Sequence, residues 1–146
     1  MSDRWEYGSD FHLLDFASLA RKDLNPWSVV PSVSFGSGRD AMRALLVHGA
    51  EVFGWKRIFV PSFFCQDVVQ AMRVPGLELA VYPDAPGEAP VWPNDLGPSD
   101  AVLIVNFFGL REELDSSALR GNGAFVLEDH THDPWSPWAK SSHADY

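Results

Sequence analysis

The chain has 146 residues, 46% of them hydrophobic and six of them tryptophan: enough apolar surface for one globular domain with a core, and too much for a disordered chain. Lys and Arg number 11 against 20 Asp and Glu, a formal charge of −9 with no basic run, which argues against general binding to nucleic-acid phosphates. An anionic small molecule would need a local device such as a helix N-terminus.

The opening stretch, "MSDRWEYGSDFHLLDF", is too acidic and polar for a signal peptide, and residues 1–35 read as an irregular lead-in. Within it "FHLLDFASLARK" has the pattern of a short amphipathic helix that stops before Asn25-Pro26. The organised part, residues 36–146, begins at a Gly36-Ser37-Gly38 turn. Ala41, Leu45, Val52 and Phe53, with Met42, Leu46 and Gly49 beside them, follow a helical period that Gly54 ends. "RIFVP" (57–61) reads as a strand, "CQDVVQAMRVPG" (65–76) as a helix on Val68, Val69 and Met72, and "LELAVYP" (77–83) as a second strand. The Pro/Gly-rich "DAPGEAPVWPNDLGPSD" (84–100) reads as a surface loop. The strand "AVLIVNF" follows; the apolar run it opens, 101–110, is about half the ~20 residues a membrane helix needs. "REELDSSALRG" (111–121) reads as a polar helix and "AFVLED" (124–129) as the last strand. Cys65, the one cysteine, excludes an internal disulfide and fits a reducing, cytoplasmic setting.

Apolar strands alternating with helices predict an α/β fold of three layers around a mostly parallel sheet. Ligands of such sheets sit beyond the carboxyl ends of the strands. "VPSFFCQD", "VNFFGLRE" and "LEDHTHD" fall at those ends, and "GSGRDA" opens the first helix, where free N–H groups suit a phosphate or simply begin a helix. "FVLEDHTHDPW" (125–135) is the densest cluster of ionisable groups. Asp129 there is costly at the end of a buried strand unless it pairs with a cation, such as a protonated cofactor ring nitrogen, or bonds its own loop. His130-x-His132 also fits two ligands of a metal-dependent hydrolase, with Asp129, Asp133, Glu128 or His143 as further ligands. Cys65 at a helix start is either a small apolar residue or a reactive thiol. There is no G-x-S-x-G elbow for a serine triad.

In order and spacing, residues 34–146 resemble the DegT/DnrJ/EryC1/StrS family of pyridoxal-phosphate (PLP) enzymes, best known as sugar aminotransferases. "SGRDAMRALL" resembles the family's serine-glycine helix opening, and "RIFVPSFFCQDVVQAMRVPGLELAVYPD" its strand-helix-strand with a proline-aromatic turn. "VLIVNFFG" resembles its strand ending in an aromatic and glycine, "FVLEDHTHDPW" its Glu-Asp-x-Ala-Gln element, and "HADY" the strand start that follows.

The resemblance implies part of a PLP-binding large domain in residues 36–146, with the backbone around Gly38 and Arg39 on the cofactor phosphate and Asp129 on the pyridinium nitrogen. It implies His132 in place of the glutamine on the ring hydroxyl, and Phe64 and Cys65, with Phe63 adjacent, near the ring face. The complete enzyme would transfer an amino group to a keto substrate, such as a nucleotide-linked keto-sugar, as a cytoplasmic homodimer without nucleic-acid or membrane partners. The family's cofactor-anchoring lysine follows the strand that "HADY" resembles. The lysines here are Lys22, Lys56 and Lys140, the last expected in a loop, and none matches it. No catalytic residue is therefore assigned. The chain is expected to be an amino-terminal fragment, binding PLP weakly if at all, or a split enzyme completed by a second polypeptide. A non-catalytic interaction domain and a metal-dependent hydrolase remain as alternatives. The fragment reading predicts an exposed sheet edge, so residues 1–146 should self-associate in sedimentation, and a stable monomer would count against it.

Overall fold

A computed structural model describes residues 33–146, and the lead-in, with its expected helix, lies outside the described residues. Four strands, β1 (Arg57–Pro61), β2 (Glu78–Tyr82), β3 (Asp100–Val105) and β4 (Phe125–Asp129), form one sheet in the order β2-β1-β3-β4. Every pairing is parallel, in the registers Arg57↔Glu78, Arg57↔Asp100 and Ala101↔Phe125. Four helices accompany them: α1 (Gly38–His48), α2 (Gln66–Ala71), α3 (Ser117–Gly121) and α4 (Pro137–Ser141). The expected fold class holds at this level: a three-layer α/β unit with a parallel sheet.

Side-chain alternation divides the core in two. Ile58, Val60, Ala101, Leu103, Val105 and Leu127 point to a first face, where Leu46, Met42 and Leu45 of α1 and Val68 of α2 cover them. Phe59, Tyr82, Val102, Ile104 and Val126 point to the second face, under Leu119 of α3 and Trp138 of α4. Trp92 and Leu96 also pack there, so segment 84–99 is a cover for the second face rather than only a surface loop. All six residues of β3 are buried. None of the helices among the described residues is long and apolar enough to cross a membrane.

Local chemistry explains the element boundaries. Ser37 caps α1, its Oγ accepting from the Asp40 N–H at 3.2 Å. The helix then widens into a π turn, Gly49–Phe53, and Gly54 ends it in the left-handed region. That turn leaves Val52 exposed despite its helical spacing, while Phe53, partly exposed, keeps its ring on Trp55. Gly49 allows the turn to lie on Trp55: a Cβ there would sit 2.0 Å from the indole Cε3. Phe53 packs on Phe125 at the amino end of β4, with ring centroids 5.2 Å apart, so α1 runs back from that end and directs its N-terminus toward the carboxyl end of the sheet.

The polar helix expected over 111–121 is much shorter, Ser117–Gly121. Arg111 is drawn inward to Asp84 instead of following the helical pattern. Lys140, expected in a loop, lies on α4. At the outer edge of β4, Glu128 N–H donates to the Tyr146 carbonyl at 2.8 Å and Tyr146 N–H to that of Val126 at 3.3 Å. One residue bonded to 126 and 128 in this way is the parallel pattern, so "HADY" runs alongside β4 as a further strand would.

Gly49→Ala is expected to lower stability by about 2 kcal/mol or more, the range of overpacked core sites, as measured by urea unfolding. A change within a few tenths of a kcal/mol would mean that the close approach to Trp55 is not obligatory.

Candidate functional site

The strand order reverses between β1 and β3. The chain leaves β1 through α2 on the first face toward β2, and leaves β3 through α3 on the second face toward β4. Such a switch point opens a crevice at the carboxyl ends of the two strands. Three loops meet there through a run of rings. Phe63, after β1, stands edge-on to Phe107 at 5.7 Å and to Phe108 at 6.3 Å, and Phe108, after β3, stacks on His132, after β4, at 5.4 Å and 11°.

Phe108 has φ +56, a left-handed backbone that costs a bulky residue about 1–2 kcal/mol. Its N–H donates to His132 Nδ1 at 3.0 Å, and the stacked imidazole supports the ring, which stays 55% exposed. Gly109 follows at φ +68, with Asp133 so close that a Cβ would sit 2.5 Å from that residue's own Cβ. The glycine therefore lets the loops after β3 and β4 touch.

"EDHTH" separates into two environments. Asp129 alternates onto the first face with Leu127, and its Oδ1 accepts from the Thr131 N–H at 2.9 Å and from the Thr131 hydroxyl. Its Oδ2 accepts no hydrogen bond among the described residues. His132 accepts at Nδ1, which in the neutral ring puts the proton on Nε2, where it can be donated. Glu128 and His130 lie on the second face. His130 Nε2 is 2.9 Å from Glu128 Oε2, and its ring meets Trp138 edge-on at 4.8 Å. Burial pushes the Glu128 carboxyl up, but hydrogen bonds, led by that of His130, outweigh it and hold the group below its ordinary value.

The residues expected to hold a cofactor thus take different positions. Gly38 and Arg39 are exposed at the start of α1, with Ser37 Oγ already taking the Asp40 N–H. Cys65 is exposed at the start of α2. Phe64 turns inward onto the first core cluster, and Phe63, 51% exposed, is the one that presents its ring at the edge. Gly38, Arg39, Phe64 and Asp129 all belong to the first face or its covering helix, but among the described residues no hydrogen bond joins the α1 start to Asp129. Lys56 precedes β1 at the amino end and Lys140 lies on α4, whose Trp138 packs on the second face, the side opposite Asp129. His130 and His132 are turned to different partners, and the described residues contain no group of three His, Cys, Asp or Glu placed to hold a metal ion.

Sequence reasoning missed the buried ion pair beside the rings. Both Asp84 oxygens accept from the Arg111 guanidinium, Nη1 at 2.9 Å from Oδ2 and Nη2 on Oδ1. Arg111 also donates to the carbonyls of Val105 (3.1 Å) and Glu88 (3.2 Å), and lies 4.7 Å over the Phe107 ring. Tyr82 donates its hydroxyl to the Leu103 carbonyl at 2.8 Å, and burial, reinforced by the Asp84 charge, pushes the phenol strongly up. A shallow cleft of about 430 Å³ opens beside these groups, between Gly87, Glu88, Phe107, Phe108, Leu110 and Glu112. None of the six residues expected to bind a cofactor lines it. Nothing in the spacing of Asp84 and Arg111, 27 residues apart, signals their pairing.

Comparison of the chain with protein-family models, curated proteins and solved structures found no match.

Arg111→Met should destabilise the protein by about 3–5 kcal/mol, because Asp84 would remain buried and unpaired, and adding Asp84→Leu should restore most of the loss. A double variant no more stable in urea than the single one would contradict this account. The Glu128 pairing also predicts an acid limit. Because its folded value is lowered, its contribution is complete above the ordinary carboxylate range and is lost as pH falls through the lowered value. Glu128→Gln should therefore flatten the pH dependence of unfolding below about pH 5, where carboxylates titrate. An unchanged slope would count against the pairing.

Proposed function

We propose that this chain is the amino-terminal part of a PLP-dependent aminotransferase-like protein, and that the carboxyl edge of its first face receives the cofactor. Asp129 carries the reading: a carboxylate at the end of a parallel strand, oriented through one oxygen by Thr131, with the other oxygen accepting no hydrogen bond among the described residues and so open to a cation. A protonated pyridinium is such a partner, since the charged hydrogen bond offsets the cost of holding the carboxylate at a strand end. The residues present fit the group in part. His132 offers an Nε2–H donor in the loop that follows Asp129, Phe63 and Phe108 offer exposed rings, and Gly38 and Arg39, both exposed, head an eleven-residue helix.

Bound there, PLP would supply an electron sink for a carbanion at the substrate carbon. The chain's own residues would bind and orient. Asp129 would keep the ring nitrogen protonated, His132 would donate to an oxygen on the ring, and the aromatic residues would exclude water from one ring face. Moving a proton between substrate and cofactor carbons needs a base at this edge, and amino transfer therefore requires a lysine beyond the described residues or on a second polypeptide. The acceptor would be a keto compound, such as a nucleotide-linked keto-sugar, and the setting a cytoplasmic homodimer. The lack of a lysine at this edge among the described residues equally favours a binding domain that does no chemistry, and the two readings share the cofactor site.

Titration of PLP into purified residues 1–146, followed by its absorbance and by tryptophan quenching, tests the site. Asp129→Asn should weaken binding on the order of tenfold to a hundredfold, the equivalent of a charged hydrogen bond. Equal affinity of the variant and the parent would reject the proposal, and no binding by the parent at millimolar PLP would reject a cofactor site formed by this chain alone.

A further inference from the structure

The carboxyl end of β3 carries an amide that the cofactor reading does not use. Asn106 is 1% exposed, and neither its Oδ1 nor its Nδ2 has a hydrogen-bond partner among the described residues. Burying such a group unpaired costs about 1–3 kcal/mol, so an orphaned amide in a core calls for a partner. The backbone does not let the residue swing out. Its N–H donates to the Asp129 carbonyl at 3.0 Å and its carbonyl accepts from Gly109 N–H at 3.2 Å.

The register Val105↔Asp129 makes residues 106 and 130 the next neighbours across the sheet. Alternation turns both to the second face with Ile104, whereas Phe107 packs on the first. His130 carries the matching deficit: Nδ1 is buried without a partner, while Nε2 is tied to Glu128. With the ring proton on Nε2, facing the carboxylate, Nδ1 is an acceptor. Two acceptors, Asn106 Oδ1 and His130 Nδ1, and one donor, Asn106 Nδ2, thus occupy adjacent positions but do not bond each other; the Trp138 Nε1–H, also buried without a close partner among the described residues, is a further donor whose influence falls on Glu128.

We propose that Asn106 and His130 hold an internal water molecule at the switch point, on the opposite face of the sheet from Asp129. Water is the ligand that the donor count selects. It gives one hydrogen to Asn106 Oδ1 and one to His130 Nδ1 and accepts from Asn106 Nδ2, which are the three bonds typical of a buried water. A cation is disfavoured because the nearest carboxylate, Glu128, already faces His130, and an anion would have to lie against that carboxylate. The Trp138 ring edge, 4.8 Å from His130, closes one side of the site. Through this water the Glu128–His130 pair would brace the end of β3, next to the loop that presents Phe108.

The test uses the whole chain, residues 1–146, without added cofactor. A crystal structure at high resolution should show a water at hydrogen-bond distance, about 2.7–3.2 Å, from both Asn106 and His130 Nδ1. In solution the Asn106 side-chain amide should show magnetisation transfer from a long-lived water, and His130 should show an unprotonated, hydrogen-bonded Nδ1 in its ¹⁵N spectrum. In Asn106→Leu the His130 Nδ1 signal should move toward that of a free imine nitrogen. A direct bond between Asn106 and His130, a protonated Nδ1, or no ordered water within reach of Asn106 would each overturn the proposal. If the variant does not fold, the two measurements on the parent chain still decide it.

Discussion

The structure depends on the burial of β3 from both sides. All six of its residues are buried, and its backbone bonds in parallel to β1 on one side and β4 on the other. A parallel sheet of this kind is stable only when both faces are covered. The first face is covered by α1 and α2. Among the described residues the second receives the short helices α3 and α4, and further cover comes from Leu114, Ala144 and, in the connection between β2 and β3, Trp92 and Leu96. An irregular segment in that role must be held at its ends, because loop backbone brings no hydrogen-bond ladder of its own.

Two ion-pair groups hold it. At the amino end of the sheet Arg57 bonds Asp100 at 2.8 Å and Asp95 at 2.6 Å, and the guanidinium holds both carboxyls below their ordinary values. At the carboxyl end Arg111 clasps Asp84 and the carbonyls of Val105 and Glu88. The first group is partly exposed, so solvent screening limits its contribution. The second is buried and fully hydrogen-bonded, a geometry in which losing one partner is costly. It stands directly beneath the aromatic loop, so the same contact that anchors the cover also fixes Phe107 and the strained Phe108 next to it.

The carboxyl edge then has two sides with different chemistry. The first face presents Asp129, whose Oδ2 accepts no hydrogen bond among the described residues, and rings from three separate loops meet at the same end of the sheet. The second face holds Glu128, His130 and Asn106 in the interior, with the Glu128 carboxylate paired to His130. Residues that form one dense cluster in sequence are thus divided by the period of the strand into a surface that can meet a ligand and a buried polar brace.

Much of this was readable in the chain itself. The four strands and the two helices before β2 follow from apolar runs, β-branched residues and Gly/Pro punctuation, because those patterns act over a few residues and carry their own energetic reason. The approach of the strand-end loops to one edge follows from the parallel topology they imply. The extent of the helix after β3 did not follow, since Arg111 gains more from Asp84 than from continuing a helix, and no local signal announces a partner 27 residues away. The choice of Phe63 over Phe64 as the exposed ring, the left-handed turn at Phe108 and the separation of His130 from His132 were equally hidden. Sequence alone determined which segments could be strands and which end of the sheet would gather polar groups. Only the tertiary structure decided which of those groups face one another, because pairing across the sheet depends on register and on the closure of loops far apart in the chain.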